Sequence, residues 1–253
     1  MTGRGEEFYH HSFPELAALV GEAEALRKVR FYQELAGRHQ ACPGFVLHRC
    51  RLLETFREKE AAAVQRSETP QSVLQTRVSV FYAPVTNITR HKDLTLYQVY
   101  ELIRSGKFKR HTDALKKITD KKANRQYKAT HFSYACFSGT FSKRYDEALL
   151  AHSGLICIDL DHVGERLDEV RATIRGEESY VMDFVSPNGD GLKVLFKINP
   201  HLYRQEQHYR ALSSHLSLRC GLPLAHIDPS CKNVSRACFL PHDPTVHLNP
   251  LLQ

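Results

Sequence analysis

The sequence predicts an α+β domain, and three observations in its second half carry that prediction. From residue 153 onward the apolar spacing switches between two and about 3.6 residues in the order strand, helix, strand, strand, helix, strand. The two middle strands flank the glycine-rich turn "PNGDG", which marks a hairpin. The crossovers are too short for a large parallel sheet. A βαββαβ order of this kind is the split βαβ, ferredoxin-like plan: an antiparallel sheet with two helices on one face and the other face free to bind a partner.

The elements follow in chain order. "HSFPELAALVGEAEALRKVRFYQELAG" opens with a capping box, Ser12 and Glu15, carries Leu16, Leu19, Val20, Ala23 and Leu26 at helical spacing, and stops at Gly37. After the break at "CPGF", a second amphipathic stretch sets Val46, Leu52, Leu53 and Phe56 against charges. Residues 1–65 are therefore expected as a helical N-terminal appendage, and the polar run "RSETPQS" over 66–72 as its linker to a domain at 73–253. Next, "SVLQTRVSVFYAPV" reads as a strand and "TLYQVYELIRSG" as a helix ended by Gly106. Residues 107–128 hold nine Lys and Arg against two acids, which exceeds ordinary surface mixing and leaves two readings, a solvated helix face or a phosphate-backbone contact surface. The strand "GLICIDLD" then leads to the helix "GERLDEVRATIRG", the hairpin strands "SYVMDFVS" and "LKVLFKI", the helix "YRQEQHYRALSSHLSLRCG" closed by Gly221, and a last strand begun by "LAHID".

At 253 residues, with 42% hydrophobic and 25% charged content, the chain can bury a substantial core without disulfide staples. Its seven cysteines are scattered and odd in number, so reduced, mostly buried thiols are expected. Cys220, Cys231, Cys238 and His242 fit no standard zinc spacing, and no zinc is expected. The sequence contains no apolar run of membrane-spanning length, and "MTGRGEEFYHH" lacks a signal-peptide core, so a cytoplasmic protein without membrane association is expected. The net charge of +7 favours a polyanionic partner.

In "LICIDLD" the period of two sends Asp159 and Asp161 to one face while Ile158 and Leu160 enter a core. Two carboxylates so placed suit a hard divalent cation, Mg²⁺ or Mn²⁺, and phosphoryl or nucleotidyl transfer is the chemistry that most often needs them; an ordinary strand end gives the same pattern. Asp228, in "HIDPS", is a candidate third acid at a strand terminus, or a turn initiator before Pro229. In "SPNGDGLKVLFKI", Gly189 and Gly191 let backbone amides approach an anion, Ser186 offers a hydroxyl, and alternation puts Lys193, Leu195 and Lys197 on one face. Lys193 is thus a candidate triphosphate ligand, although a glycine turn needs no ligand to explain it. Arg236 could clamp a phosphate or pair with one of the acids. There is no Walker A string, which excludes a P-loop ATPase.

Taken in order, "FSGTF", "HSGLICIDLDH", "SPNGDGLK" and "HIDPSCKNVSR" resemble the catalytic core of the archaeo-eukaryotic primase superfamily, and most closely the primase-polymerases of bacterial mobile elements and CRISPR-associated operons. The resemblance spans about residues 78–245. It implies an RRM-like core with an added N-terminal αβ part, primer synthesis and extension on a single-stranded template, and a two-metal site of Mg²⁺ or Mn²⁺ held by Asp159, Asp161 and Asp228. Ser138, Ser186, Asn188, Gly189, Gly191, Lys193 and Arg236 are the implied nucleotide contacts. Lys107, Lys109, Arg110, Lys116, Lys117 and Lys128 would carry the nucleic acid. The implied partners are a DNA or RNA single strand with its primer, dNTP or NTP substrates, and helicase or CRISPR adaptation proteins. Two departures stand out. Lys193 follows a glycine loop where many members carry Ser-x-His, and the chain ends at Gln253 without the usual C-terminal accessory domain, which predicts weak de novo priming with extension retained.

Two other readings keep the same residues. A nucleic-acid-binding replication module with a vestigial site should grip single strands in EDTA and ignore triphosphates. A metal-dependent nuclease would use the same acids but has no need of a triphosphate-binding loop.

Overall fold

The computed structural model describes residues 73–252, and the chain divides into two units, Met1–Pro70 and Gln71–Gln253. The helices expected over 1–65, with the Ser12 and Glu15 cap, lie outside the described residues. Everything below concerns the second unit. Its architecture is α+β with antiparallel sheets.

The first sheet has the order β2 (His91–Thr95), β1 (Arg77–Phe81), β3 (Tyr134–Cys136), β9 (Cys238–Phe239). Three helices lie between β2 and β3 in the chain: α1 (Leu96–Arg104), α2 (Lys109–Lys116) and α3 (Lys121–His131). Thr95 caps α1 in a reciprocal box with Gln98, and the Asp120 side chain accepts from the Ala123 amide to start α3. Helix α1 leaves helical geometry at Ser105, one residue before the expected glycine stop. A small ribbon, β4 (Gly139–Phe141) with β5 (Leu149–His152), follows.

The second sheet is the one the sequence outlined. β6 (Leu155–Leu160), α4 (Leu167–Arg175), β7 (Tyr180–Val185), β8 (Leu192–Lys197) and α5 (Gln205–Cys220) occur in that order, and the sheet runs β10 (His247–Leu248), β7, β8, β6. Gly221 takes the left-handed conformation that ends α5, with φ 59°. The expected last strand is not built as one. Leu224–His226 forms a 3₁₀ turn, and Ile227 makes a single antiparallel bridge to Leu160 beside β6. Pro229 cannot donate to a ladder, so pairing stops after Asp228.

Strand alternation sorts the second sheet into two faces. Ile156, Ile158, Leu160, Leu192, Val194 and Phe196 pack beneath α4 and α5, against Val170, Ile174 and Leu216. Each such buried side chain contributes roughly 1.5–3 kcal/mol of transfer free energy. On the other face Leu155, Val181, Phe184 and Leu195 share a core with Val78, Val80, Leu96, Val99 and Ile103. The face expected to be free is therefore covered by the first sheet and α1, whose own apolar side also has to leave water. What stays open is a cleft at the end of this sandwich, beyond the apolar contacts. Among the described residues no helix is long and apolar enough to cross a membrane.

Candidate functional site

The cleft forms where β6 ends. It encloses about 560 Å³, a volume suited to a small-molecule ligand, and Asp159, Asp161 and Asp228 all line it. Backbone pairing brings the acids together: the Asp228 amide donates to Asp159 O at 3.0 Å and the Asp161 amide to His226 O at 2.7 Å. The short strand remnant at Ile227 thus does the positioning expected of a full strand.

Asp159 sits directly opposite Lys193 in the β6–β8 register, and the Lys193 ammonium donates to Asp159 Oδ2. The two side chains are 11% and 8% exposed. Burial alone would lower the Lys193 pKa, but the Asp159 carboxylate outweighs it and holds the ammonium above its ordinary value. Asp159 Oδ1 is buried with no hydrogen-bond partner. For Asp228, burial opposes ionisation, yet the Ser230 amide and the Arg236 guanidinium prevail and hold its pKa below the usual value. Asp161 goes the other way. Partial desolvation first, then the Asp159 and Asp228 carboxylates, raise its pKa, with Lys193 only partly offsetting them.

Asp161→Asn gives a direct test of that repulsion. A raised folded-state pKa means the fold prefers the protonated acid, so stability falls as pH rises through that value and the penalty persists at neutrality. Removing the charge is expected to raise Tm by about 1–3 °C at pH 7.5, after allowance for screening of a half-exposed group. The gain should shrink toward zero as pH falls below the unfolded-state value near ~3.9, where the acid is protonated in both states. Equal melting of the two proteins at pH 7.5 would contradict the electrostatic account.

The hairpin between β7 and β8 forms another wall. The Ser186 amide donates to Gly191 O, the Gly191 amide to Ser186 Oγ, and the Gly189 amide to Ser186 O. Gly189 has φ 91°, and a Cβ on Gly191 would sit 2.7 Å from Leu160 O, so both glycines are required by the backbone itself. Asp190 O accepts from the Val163 and Gly164 amides, and Asp190 Oδ2 lies 3.1 Å from His162 Nδ1. The hairpin is thereby stitched to the loop after Asp161. His162 has φ 55°, an uncommon backbone state for a residue with a side chain, next to a metal-ligand candidate.

Cations approach from the first-sheet side. Helix α3 lines the cleft with Lys121, Asn124, Arg125 and Lys128. Burial, then the positive Lys193, lower the Lys128 pKa, against the pull of Asp159, Asp161 and Asp190. Lys116, at the end of α2, places its Cε within 3.4 Å of where a Gly189 Cβ would stand. Beneath the site, Cys157 and Cys238 face each other with sulfurs 3.8 Å apart, and the five described cysteines are free thiols.

The cleft therefore brings together Asp159, Asp161, Asp228, Ser186, Asn188, Lys193, Arg236 and Lys128 from the expected set. Others lie elsewhere. Ser138 is buried and accepts a hydrogen bond from Gln205 Nε2 at the start of α5, outside the cleft lining. Lys109 pairs with Asp113 on exposed α2, and Lys107, Arg110 and Lys117 do not line the cleft. Lys193 is enclosed and already paired, which suits positioning of Asp159 better than reaching out to a triphosphate. Sequence reasoning missed Asn124 and Asp190. An acid inside a glycine hairpin was the available signal for Asp190, whereas nothing local marks Asn124.

A cation fits part of this donor set. Asp159 Oδ1 is unpartnered and Asp161 is crowded by like charge, both of which a divalent ion would relieve. Both oxygens of Asp228 are engaged, by Ser230 and Arg236, and among the described residues no three His, Cys, Asp or Glu side chains are gathered as a ready cage. Residues 126–247 match the family model described as BT4734-like, N-terminal domain, a stretch that includes all three cleft acids, the hairpin and Arg236. No curated protein and no solved structure matches the chain.

Proposed function

We propose that this domain is a template-directed nucleotidyltransferase of the primase-polymerase kind, with an RRM-like catalytic core. The observation that carries the proposal is the meeting of Asp159, Asp161 and Asp228 with the Ser186–Gly191 hairpin and the α3 cations in one cleft. Acids alone would suit hydrolysis equally well. Acids facing a glycine turn flanked by Lys116, Lys128 and Arg236 suit a substrate that carries both a metal and several phosphates.

A divalent cation bound there supplies Lewis acidity toward an attacking hydroxyl and a triphosphate. Asp159 Oδ1 and Asp161 are the side chains that would hold it. Lys193 fixes the Asp159 rotamer through Oδ2, leaving Oδ1 as the buried oxygen without a partner. Lys128 and Lys116, with the hairpin amides, offset phosphate charge from two sides. Arg236, paired with Asp228 in the same cleft, can exchange that carboxylate for a phosphate oxygen. The exposed cations on and near α2, Lys107, Arg110 and Lys117, suit the strand that serves as template.

A specific observation favours a second reading, a binding module without turnover: Lys193 and Arg236 already neutralise two of the three acids. Extension of a labelled primer on a single-stranded template, with Mn²⁺ and nucleotides, separates the two. The wild-type chain is expected to lengthen the primer, and the Asp159→Ala, Asp161→Ala double variant to lose at least about a hundredfold in rate. Unchanged incorporation by the double variant would sink the assignment of these acids, and shortened strands would mark a nuclease.

A further inference from the structure

A second groove, of about 570 Å³, lies between β1, β2 and α1. Its floor is apolar, with Val80, Leu94 and Phe108, and its rim carries two tyrosines, Tyr82 and Tyr97, that are 43% and 46% exposed. Two lysines, Lys92 and Lys107, border it against one acid, Glu101. Exposed aromatic rings beside cations over an apolar floor are what unpaired bases require: faces to stack on and charge for the backbone.

We propose that this groove binds single-stranded DNA, with bases stacked on Tyr82 and Tyr97 and phosphates drawn by Lys92 and Lys107. The apolar floor suits base and deoxyribose faces better than 2′-hydroxyls. Its position relative to the acidic cleft adds a second argument. Lys107 stands at the groove, α2 begins two residues later with exposed Lys109 and Arg110, and Lys116 at the far end of α2 touches the Gly189 turn of the cleft. Eight helical residues span about 12 Å at 1.5 Å each, so one short basic helix connects groove and cleft. A strand held in the groove is thereby led toward the hairpin. The assignment rests on the nucleotidyltransferase reading for its purpose, but its geometry is separate from the three acids.

The test is fluorescence anisotropy of a fluorescein-labelled mixed-sequence oligodeoxynucleotide with the full chain in EDTA, alongside thermal melts. Tyr82→Ala and Tyr97→Ala are each expected to weaken binding about tenfold, the effect of losing one stacked base, with unchanged melting. Tyr82→Phe and Tyr97→Phe should bind as the wild type does. Lys107→Ala should reduce the salt slope by about 0.7. Binding within about twofold of wild type for both alanine variants, equal losses in the phenylalanine variants, equally tight binding of duplex DNA, or tighter binding of the matched RNA strand would each overturn the proposal. Primer extension keeps the two ideas apart. A wild-type chain that incorporates nothing yet shows tyrosine-dependent binding refutes the polymerase and keeps the groove, whereas extension with tyrosine-independent binding does the reverse.

Discussion

Lys193→Ala is expected to destabilise the domain by about 3–5 kcal/mol, the usual cost of leaving one partner of a buried ion pair without the other. The carboxylate left behind, Asp159, is 11% exposed and already has one oxygen without a partner. Neither of its oxygens would then be satisfied, and Asp161 would lose the Lys193 charge that partly offsets its neighbouring carboxylates. Urea denaturation measures the loss. Asp159→Asn in the Lys193→Ala background should recover much of it, because the uncompensated charge rather than the lost ammonium is the main cost. Millimolar Mn²⁺ should also stabilise the single variant more than the wild type, since the vacated position adjoins the Asp159 carboxylate and Asp161 also loses the Lys193 charge. A Lys193→Ala protein within about 1 kcal/mol of wild type would show that water reaches Asp159 and that the pair is not truly buried.

Arg171→Ala is expected to cost about 3 kcal/mol or more, for a different reason. The guanidinium, 9% exposed, donates to Asp183 Oδ1 at 2.8 Å, to Thr245 Oγ1 at 3.1 Å and to Asp243 Oδ2 at 3.4 Å. Asp183 is fully buried and keeps Arg175 and the Tyr180 hydroxyl, which places the loss near the lower end of the range. Asp243 keeps the Val185 amide and Thr245. What disappears is a side chain that ties α4, β7 and the segment entering β10 together. Arg171→Lys should not restore it, because a single ammonium cannot reproduce a three-way planar fork. Hydrogen exchange supplies the local readout: the Asn249 amide, bonded to Val181 O, should lose protection before the centre of β7 does. Equal protection at both positions would show that β10 is held without Arg171.

The second sheet was legible in the sequence wherever the information is local. Alternation in "LICIDLD" and "LKVLFKI" assigned the faces, the "PNGDG" glycines marked the hairpin, and Gly221 ended α5 as expected. Partners distant in the chain were not legible. Lys193 could be placed on the Asp159 face, but only the β6–β8 register makes the two direct neighbours and gives the expected phosphate ligand an ion-pair partner. The Arg171 network joins residues up to 74 positions apart, and no period encodes such a contact. The covered face of the second sheet was misjudged for a related reason. β1 and α1 were each recognisable, yet nothing in their own residues states which surface they bury against. Lys116 was assigned to nucleic acid from composition alone, and only the approach of α2 to Gly189 places it at the hairpin.

β9 completes the first sheet by pairing with β3, and β10 extends the second by pairing with β7, though both strands come from the final stretch of the described chain. During synthesis the ribosome must therefore deliver residues 238–248 before either sheet has its outer strand. Until then β3 and β7 each expose an unpaired edge, and the cleft lacks Arg236 and the wall that carries it. Long sequence separation of this kind slows folding and leaves open edges available to neighbouring nascent chains. The site should thus form all at once, only after residues 236–248 are made, and truncation before Arg236 should yield an aggregation-prone polypeptide rather than a smaller working protein.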